Sequence, residues 1–159
     1  MVHNVKLGKN MRSVSIVGIG ATPFFNGVQN ETYKGLTNGE LFGHAALDAM
    51  KDAGVEPRDV QYFFHGSANP HVLNNCITPN LQVADWFGMR GKGSLSHSEG
   101  CCTGYIALEE AVFAVASGAY DVVLTGCSEQ GTGMPDGNTP DHMRVPLTSE
   151  VLFPDLDSI

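Results

Sequence analysis

Apolar positions along the chain alternate between two spacings. Short extended segments, typical of sheet strands, occur at residues 13–18, 60–65, 94–98 and 120–126. Between them, apolar residues recur every three or four positions, the spacing of one helix face, at residues 37–54, 80–88 and 103–117. Strands that alternate with helices pack as a mostly parallel sheet with right-handed crossovers. The pattern therefore predicts an α/β domain built from strand-helix units.

Local signals place the helix ends and the first strand. Thr37 and Glu40 form a capping box, in which each side chain accepts a hydrogen bond from the other residue's backbone N–H. Gly54 suits a left-handed stop for the same helix, and Ser117 directly precedes a glycine at the end of the last helix. Residues 13–18 contain three β-branched residues, Val14, Ile16 and Val17, and end in a glycine, so we predict that they form a buried central strand followed by a turn.

The strongest chemical signal is a pair of cysteines at the start of the last helix. Cys101 and Cys102 follow Gly100 and precede Thr103 and Gly104. Unpaired backbone N–H groups and the positive end of a helix dipole favour the thiolate, which is the nucleophilic form of cysteine. The segment therefore predicts covalent catalysis. The structural alternative is that both residues are small buried thiols packed at a crowded junction of strand and helix.

Two registers compete for the nucleophile. Read as G-x-C-x-G, residues 100–104 have the form of the nucleophile elbow of α/β-hydrolases, with Cys102 as the attacking residue. That fold needs an Asp and a His later in the chain, and we expect this sequence to end too soon for them. Read as C-x-[ST]-G, residues 101–104 resemble the thiolase superfamily, in the form closest to the sterol-carrier-protein-type thiolases. This resemblance makes Cys101 the nucleophile.

Further segments carry the same resemblance. They are the strand and Thr-Pro turn at residues 13–23, the sequence Asp-Ala-Gly-Val-Glu-Pro-Arg-Asp-Val at residues 52–60, and residues 118–129. The resemblance implies a thiolase-like layered α/β fold, of which this chain is the N-terminal strand-helix half with a mostly parallel central sheet. It divides the chain into a leader (1–12), the first half of a thiolase N-terminal domain (13–129) and the start of a loop domain (130–159), in a chain expected to be incomplete.

The resemblance also implies a reaction and its partners. The expected activity is that of an acyl-CoA acyltransferase, in which Cys101 takes up an acyl group during thiolytic cleavage of a 3-ketoacyl-CoA or during Claisen condensation. Coenzyme A is then a substrate or product, the pathway is one of fatty acid or lipid metabolism, and no metal is needed. Arg90 and Lys92 are candidates to contact the CoA phosphates, against the alternative of a solvated turn.

The resemblance implies an assembly as well. Residues 94–98 are expected to pair with their copy across a twofold axis, which gives a homodimer or a dimer of dimers. Members of this group often pair with a small zinc-ribbon/OB-fold protein, so such a partner subunit is also expected.

The sequence departs from the family around the cysteines. The family's activating His, its second Cys and its oxyanion-hole Asn or His are expected beyond Ile159. Glu99 stands where thiolases tend to have Asn or a small neutral residue, and a buried carboxylate there either disfavours the thiolate or transfers protons. His97 is a candidate neighbour of the sulfur, against a subunit contact or a core histidine. Cys76 is a second thiol, more typical of an incidental loop cysteine.

These departures leave two alternatives open beside the acyltransferase. One is a thiolase-like aldolase or lyase, which cleaves a hydroxyacyl-CoA of the sterol side-chain type without an acyl-enzyme. The other is a non-catalytic half-chain of a hetero-oligomer.

Composition excludes several other classes. A net charge of -8, with no cluster of Lys and Arg, argues against nucleic acid and anionic membrane surfaces as partners. No stretch approaches the ~20 apolar residues of a membrane span. Four Cys among 159 residues do not make a small disulfide scaffold, which predicts a reducing cytoplasm. Gly18 and Gly20 resemble a dinucleotide-binding loop, but Pro23 prevents a helix from starting at the phosphate position.

Overall fold

The computed structural model describes residues 4, 5, 8, 10–23, 36–68 and 78–129. Its strands are Asn4–Val5 (β1), Val14–Ser15 (β2), Tyr62–Gly66 (β3), Gly93–His97 (β4) and Val123–Cys127 (β5). Its helices are Asn38–Ala53 (α1), Pro79–Val83 (α2) and Thr103–Ala116 (α3), with short 3-10 turns at Ala84–Trp86 and Gly100–Cys102. Cys76 and the expected loop-domain segment at residues 130–159 lie outside the described residues.

A three-stranded parallel sheet forms the centre of the described chain. Its strand order is β4-β3-β5, and β3 pairs in parallel with both neighbours. In this register Gly66, the last residue of β3, is opposite His97 on one side and Cys127 on the other. The three strands therefore end at the same level, and the residues that follow them meet at one edge of the sheet. The predicted α/β fold with a parallel sheet is confirmed.

Helices cover both faces of this sheet. Phe63 and Phe64 point to opposite faces of β3, because successive side chains of a strand alternate. Phe63 packs in one cluster with Phe42 and Met50 of α1, and Phe64 packs in another with Ala107 of α3. The sheet is thus the middle layer of three.

The predicted boundaries of α1 are confirmed, whereas the helix predicted at residues 80–88 is an α-helix only over Pro79–Val83 and continues as a 3-10 turn. The Thr37 N–H donates to Glu40 Oε2 at 2.6 Å, and the Glu40 N–H donates to Thr37 Oγ1 at 3.2 Å, which completes the capping box. The hydrogen bond from the Thr37 backbone holds the pKa of Glu40 below its usual value. Gly54 ends α1 with φ +69°, the left-handed conformation that only glycine adopts without cost.

The prediction of a buried central strand at residues 13–18 is wrong. Only Val14–Ser15 is a strand, it pairs antiparallel with β1, and the side chains of Ile16 and Val17 are 49% and 63% exposed. The segment continues against α1 instead, where a Cβ on Gly20 would lie 2.1 Å from the carbonyl oxygen of Ala45. A cavity of about 410 Å³ lies between residues 15–20, α1 and β5. Strand propensity alone did not place this run in the sheet, because strand stability depends on a partner strand and on packing.

Candidate active site

Cys101 and Cys102 lie in a tight turn between β4 and α3. We call residues 99–103 the cysteine turn. Gly100 has φ +59°, and the 3-10 turn that it begins leads directly into α3, for which Cys102 is the N-cap residue. Both cysteines are exposed and free of disulfides. The predicted placement of the pair at a helix start is confirmed, and the alternative of two buried packing thiols is not.

The hydroxyl of Thr103 closes the cysteine turn. Its Oγ1 accepts a hydrogen bond from the Glu99 N–H at 2.8 Å and donates one to the Gly100 carbonyl at 2.7 Å. The Cys102 N–H donates to the Glu99 carbonyl at 3.3 Å. Thr103 is only 3% exposed, and its hydroxyl both donates and accepts a hydrogen bond. A buried hydroxyl with both bonds formed holds the backbone groups that it contacts in place. This gives the Thr of the C-x-T-G motif a structural role.

Two glycines let the cysteine turn approach the sheet closely. A Cβ on Gly66 would lie 2.5 Å from Thr103 Cγ2, and a Cβ on Gly104 would lie 2.7 Å from Cys127 Sγ. Real Cβ atoms do not tolerate such distances, so larger residues would push α3 away from the strand ends. The turn therefore lies directly on the carboxyl ends of β3 and β5, the edge at which open α/β sheets bind their ligands.

His97, the last residue of β4, and Glu99, the first residue of the cysteine turn, lie on either side of Ser98. The His97 ring is partly buried and stacks on Phe64 with centroids 6.3 Å apart. Its Nε2 atom is buried without a hydrogen-bond partner among the described residues. Glu99 is exposed, so it is not the buried carboxylate that would oppose a thiolate.

Arg90 and Lys92 make surface contacts in the segment just before β4. The cysteine turn follows the opposite end of that strand. The Arg90 side chain, 87% exposed, pairs with Asp85 at 3.3 Å. Lys92 Nζ donates to the carbonyl of Arg58 at 3.0 Å. Contact of these two cations with CoA phosphates stays a prediction.

Sequence reasoning missed a polar network at the same edge of the sheet. Glu129, after β5, accepts hydrogen bonds from the Ala68 N–H at 2.6 Å and from Ser67 Oγ at 3.3 Å. Asn38, at the start of α1, donates to Ser67 Oγ at 3.4 Å. The available signal was that polar residues follow each apolar strand directly, here Ser67 after β3 and Ser128 with Glu129 after β5.

Two titratable groups beside this network are held neutral. His65 is fully buried on β3, its Nε2 shares a 3.0 Å hydrogen bond with Ser128 Oγ, and burial lowers its pKa from 6.5 to about 4. Burial also raises the pKa of the Cys127 thiol, and the negative charge of Glu129 raises it further. At neutral pH both side chains are therefore uncharged.

The described residues offer no metal site and no membrane span. No three His, Cys, Asp or Glu side chains in the described ranges lie close enough together to hold a metal ion. Within those same ranges, none of the helices is both long and apolar enough to cross a bilayer. Cys101 and Cys102 do not line the cavity beside β5 and face the surface instead.

The fold and the site together define a class of protein. It is a three-layer α/β unit with a cysteine turn at the carboxyl edge of its parallel sheet. Residues 14–152 match the family described as "Thiolase, N-terminal domain", and the chain belongs to that family. The resemblance drawn from the C-x-T-G motif is confirmed.

Individual relatives agree with this family. The chain is 29% identical to an acetyl-CoA acetyltransferase of Methanocaldococcus jannaschii over 90% of its own length and 35% of the relative's. The solved structure of an acetyl-CoA acetyltransferase from Syntrophomonas wolfei superposes with a TM-score of 0.61 at 22% identity, over 69% of this chain and 27% of that one. The Ltp2-ChsH2(DUF35) aldolase matches with a TM-score of 0.54 at 30% identity, over 69% of this chain and 26% of that one. The chain thus spans about a third of the length of the curated relatives that it matches.

Proposed function

We propose that this chain carries the nucleophile of a thiolase-type acyltransferase, and that Cys101 is that nucleophile. The carrying observation is the position of Cys101 in an exposed turn at the start of α3, within the segment that matches the thiolase N-terminal domain. The relatives named acetyl-CoA acetyltransferase support the same reaction class.

The conformation of the turn favours Cys101 over Cys102. In the elbow of α/β-hydrolases the nucleophile itself occupies the strained position between strand and helix. Cys102 has φ -89° and ψ -4°, so it is not left-handed, and the left-handed residue of the turn is Gly100. This geometry argues against the G-x-C-x-G register. The C-x-T-G register instead makes use of the Thr103 hydroxyl, which closes the turn.

The proposed reaction on a 3-ketoacyl-CoA has two steps. In the first, the Cys101 thiolate attacks the keto carbon, the C2–C3 bond breaks, and acetyl-CoA leaves as an enolate that a general acid protonates. In the second, the thiolate of free CoA attacks the acyl-cysteine, which releases a shortened acyl-CoA and restores Cys101. Coenzyme A is therefore a substrate. The general acid and the base are proposed to come from outside the described residues.

A matched pair of variants tests this proposal in the protein as its organism makes it. Cys101→Ala is expected to abolish both thiolysis of 3-ketoacyl-CoA and the mass increase of one acyl group after incubation with acyl-CoA. Cys102→Ala, which removes the neighbouring thiol, is expected to keep both. Full activity in Cys101→Ala, or an acyl group that persists in it, would reject Cys101 as the nucleophile.

The second candidate function is a thiolase-like aldolase. The match to the Ltp2-ChsH2(DUF35) aldolase at 30% identity favours it, together with Glu99 in place of a small neutral residue. Such an enzyme cleaves a hydroxyacyl-CoA without forming an acyl-enzyme. Retro-aldol activity with no trapped acyl group, unchanged in Cys101→Ala, would select the aldolase over the acyltransferase.

The proposal extends to the assembly. β4 is an edge strand in the described sheet, and its Leu95 side chain is 43% exposed. An unpaired strand edge is a template for pairing with a second copy of the same strand. We therefore propose a homodimer through β4. The match to the Ltp2-ChsH2(DUF35) aldolase supports the further proposal of a zinc-ribbon/OB-fold partner subunit. We also propose a cytoplasmic enzyme of lipid metabolism, on the family resemblance alone. Sedimentation of the wild-type protein and of Leu95→Lys tests the dimer, and a dimer unaffected by the charged residue would reject this interface.

A further inference from the structure

Hydrogen bonds between the residues just after the strands extend the sheet toward the cysteine turn. The Ser67 N–H donates to the His97 carbonyl at 3.1 Å, and the Ser128 N–H donates to the Gly66 carbonyl at 3.0 Å. The end of β3 is thus bonded on one side to the end of β4 and on the other to the residue that follows β5. This region stays ordered beyond the last paired residues of the sheet.

The carboxylate of Glu129 accepts hydrogen bonds in this region. Its 2.6 Å bond from the Ala68 N–H is short, as expected for a charge-assisted hydrogen bond, which is stronger than a neutral one. Ser67 Oγ approaches both carboxylate oxygens, at 3.4 and 3.3 Å, and these longer contacts contribute less. Glu129 therefore ties the end of β5 to the end of β3 mainly through Ala68.

Ala68, which lies two residues after β3, is also bonded to the segment that carries the cysteines. The Ala68 carbonyl accepts a hydrogen bond from Ser98 Oγ at 3.1 Å. Ser98 directly follows β4 and directly precedes the cysteine turn. The backbone of Ala68 is therefore held on its N–H side by Glu129 and on its carbonyl side by Ser98.

We propose that Glu129 is a positioning residue for Cys101. Its carboxylate fixes Ala68, Ala68 fixes Ser98, and Ser98 fixes the start of the turn from which Cys101 is presented. This proposal rests on the proposed function, because it takes Cys101 as the reacting residue. A carboxylate suits the role since it accepts from Ala68 and Ser67 at once, whereas Gln keeps one acceptor oxygen and Ala keeps none.

Two variants of Glu129 and one control test the proposal in the protein as its organism makes it. Misplacing a reacting atom by ~1 Å costs about 10²-fold in rate. We therefore expect kcat to fall by roughly 10- to 100-fold in Glu129→Ala with KM nearly unchanged. Glu129→Gln should recover most of the loss, because the Ala68 N–H regains an acceptor. Glu110→Gln, at an exposed carboxylate of α3, should behave as wild type.

A labelling experiment gives a readout that does not depend on turnover. Iodoacetamide labelling with peptide mass mapping measures the rate at Cys101 relative to that at Cys102 in the same molecule. We expect this ratio to fall several-fold in Glu129→Ala and to remain near the wild-type ratio in Glu129→Gln. An unchanged ratio in Glu129→Ala would overturn the proposal, because the turn would then present Cys101 as it does in the wild type.

A double-mutant cycle tests the route through Ala68. Ser98→Ala removes the other bond to the same residue, so its effect and that of Glu129→Ala should be less than additive in kcat. Additive effects, or an unchanged kcat and labelling ratio in Glu129→Ala, would overturn the proposal while leaving Cys101 as nucleophile intact. If Glu129→Ala does not fold, Ser98→Ala decides by the same two readouts. Full activity in Cys101→Ala would instead reject the proposed function, and the labelling ratio would still test the positioning of the turn.

Discussion

Protonation of His65 is expected to weaken the fold in mild acid. The ring is fully buried, with its Nε2 bonded to Ser128 Oγ and its plane in edge contact with Phe42 at 4.7 Å. Burial lowers its pKa from 6.5 to about 4. Between these two pH values His65 is protonated in the unfolded chain and neutral in the folded chain. The free energy of unfolding must therefore decrease as the pH falls through this window.

The size of the effect follows from the two pKa values. A shift from 6.5 to about 4 corresponds to roughly 3 kcal/mol, at about 1.4 kcal/mol for each pKa unit. This contribution is fully present above the unfolded pKa near 6.5 and is lost progressively toward the folded pKa near 4. Between pH 6 and pH 5, where the unfolded chain is mostly protonated and the folded chain is not, the loss is about 1 kcal/mol.

Urea unfolding at pH 7, 6, 5 and 4.5 measures this loss. His65→Gln cannot titrate in this range and keeps a polar group facing Ser128, so the difference in stability between wild type and variant isolates the histidine from the carboxylates. We expect the wild type to lose about 1 kcal/mol more than His65→Gln between pH 6 and pH 5. Equal pH dependence in wild type and His65→Gln would refute the reasoning.

Two further substitutions test how α3 is seated. Gly66→Ala places a Cβ 2.5 Å from Thr103 Cγ2, which should cost about 1–3 kcal/mol of unfolding free energy and slow turnover by shifting the cysteine turn. Adding Thr103→Ser removes that methyl, and a double variant that is no more stable than Gly66→Ala would contradict the clash. Arg12 donates twice to the Val115 carbonyl at the end of α3, at 3.1 and 2.9 Å, so Arg12→Ala should cost about 1–2 kcal/mol in the same measurement. Asp121, the exposed ion-pair partner of Arg12, should contribute less to the free energy of unfolding. A loss of stability in Asp121→Asn as large as in Arg12→Ala would contradict the role of Arg12 as a helix cap.

Features that depend on neighbouring residues could be predicted from the sequence. The capping box of Thr37 and Glu40 spans one helical turn, so it can be predicted from these two residues without any tertiary contact. The placement of Cys101 and Cys102 at a helix start likewise follows from Gly100 before them and helical spacing after them. The parallel sheet followed from the alternation of strands with helices, which leaves few other ways to connect the strands.

Features that depend on distant residues could not be predicted. Ala68 and Glu129 are 61 positions apart, and only the register of β3 with β5 brings them within 2.6 Å. Register is a property of the pair of strands, so neither segment alone contains it. The failure at residues 13–18 has the same origin. Their composition favours a strand, but it does not say which strand edge they meet.

Two cysteines at the carboxyl edge of the sheet, Cys101 and Cys127, have different chemical surroundings. Cys101 and Cys127 both lie where β3, β4 and β5 end, yet their surroundings differ. Cys127 Sγ packs against Gly104 in the first turn of α3, and burial together with the charge of Glu129 raises the pKa of its thiol, so it stays protonated at neutral pH. Cys101 precedes the helix in an exposed turn closed by Thr103. Burial first and the Glu129 charge second thus disfavour the Cys127 thiolate, so the carboxylate proposed to position Cys101 also adds to the difference between the two thiols.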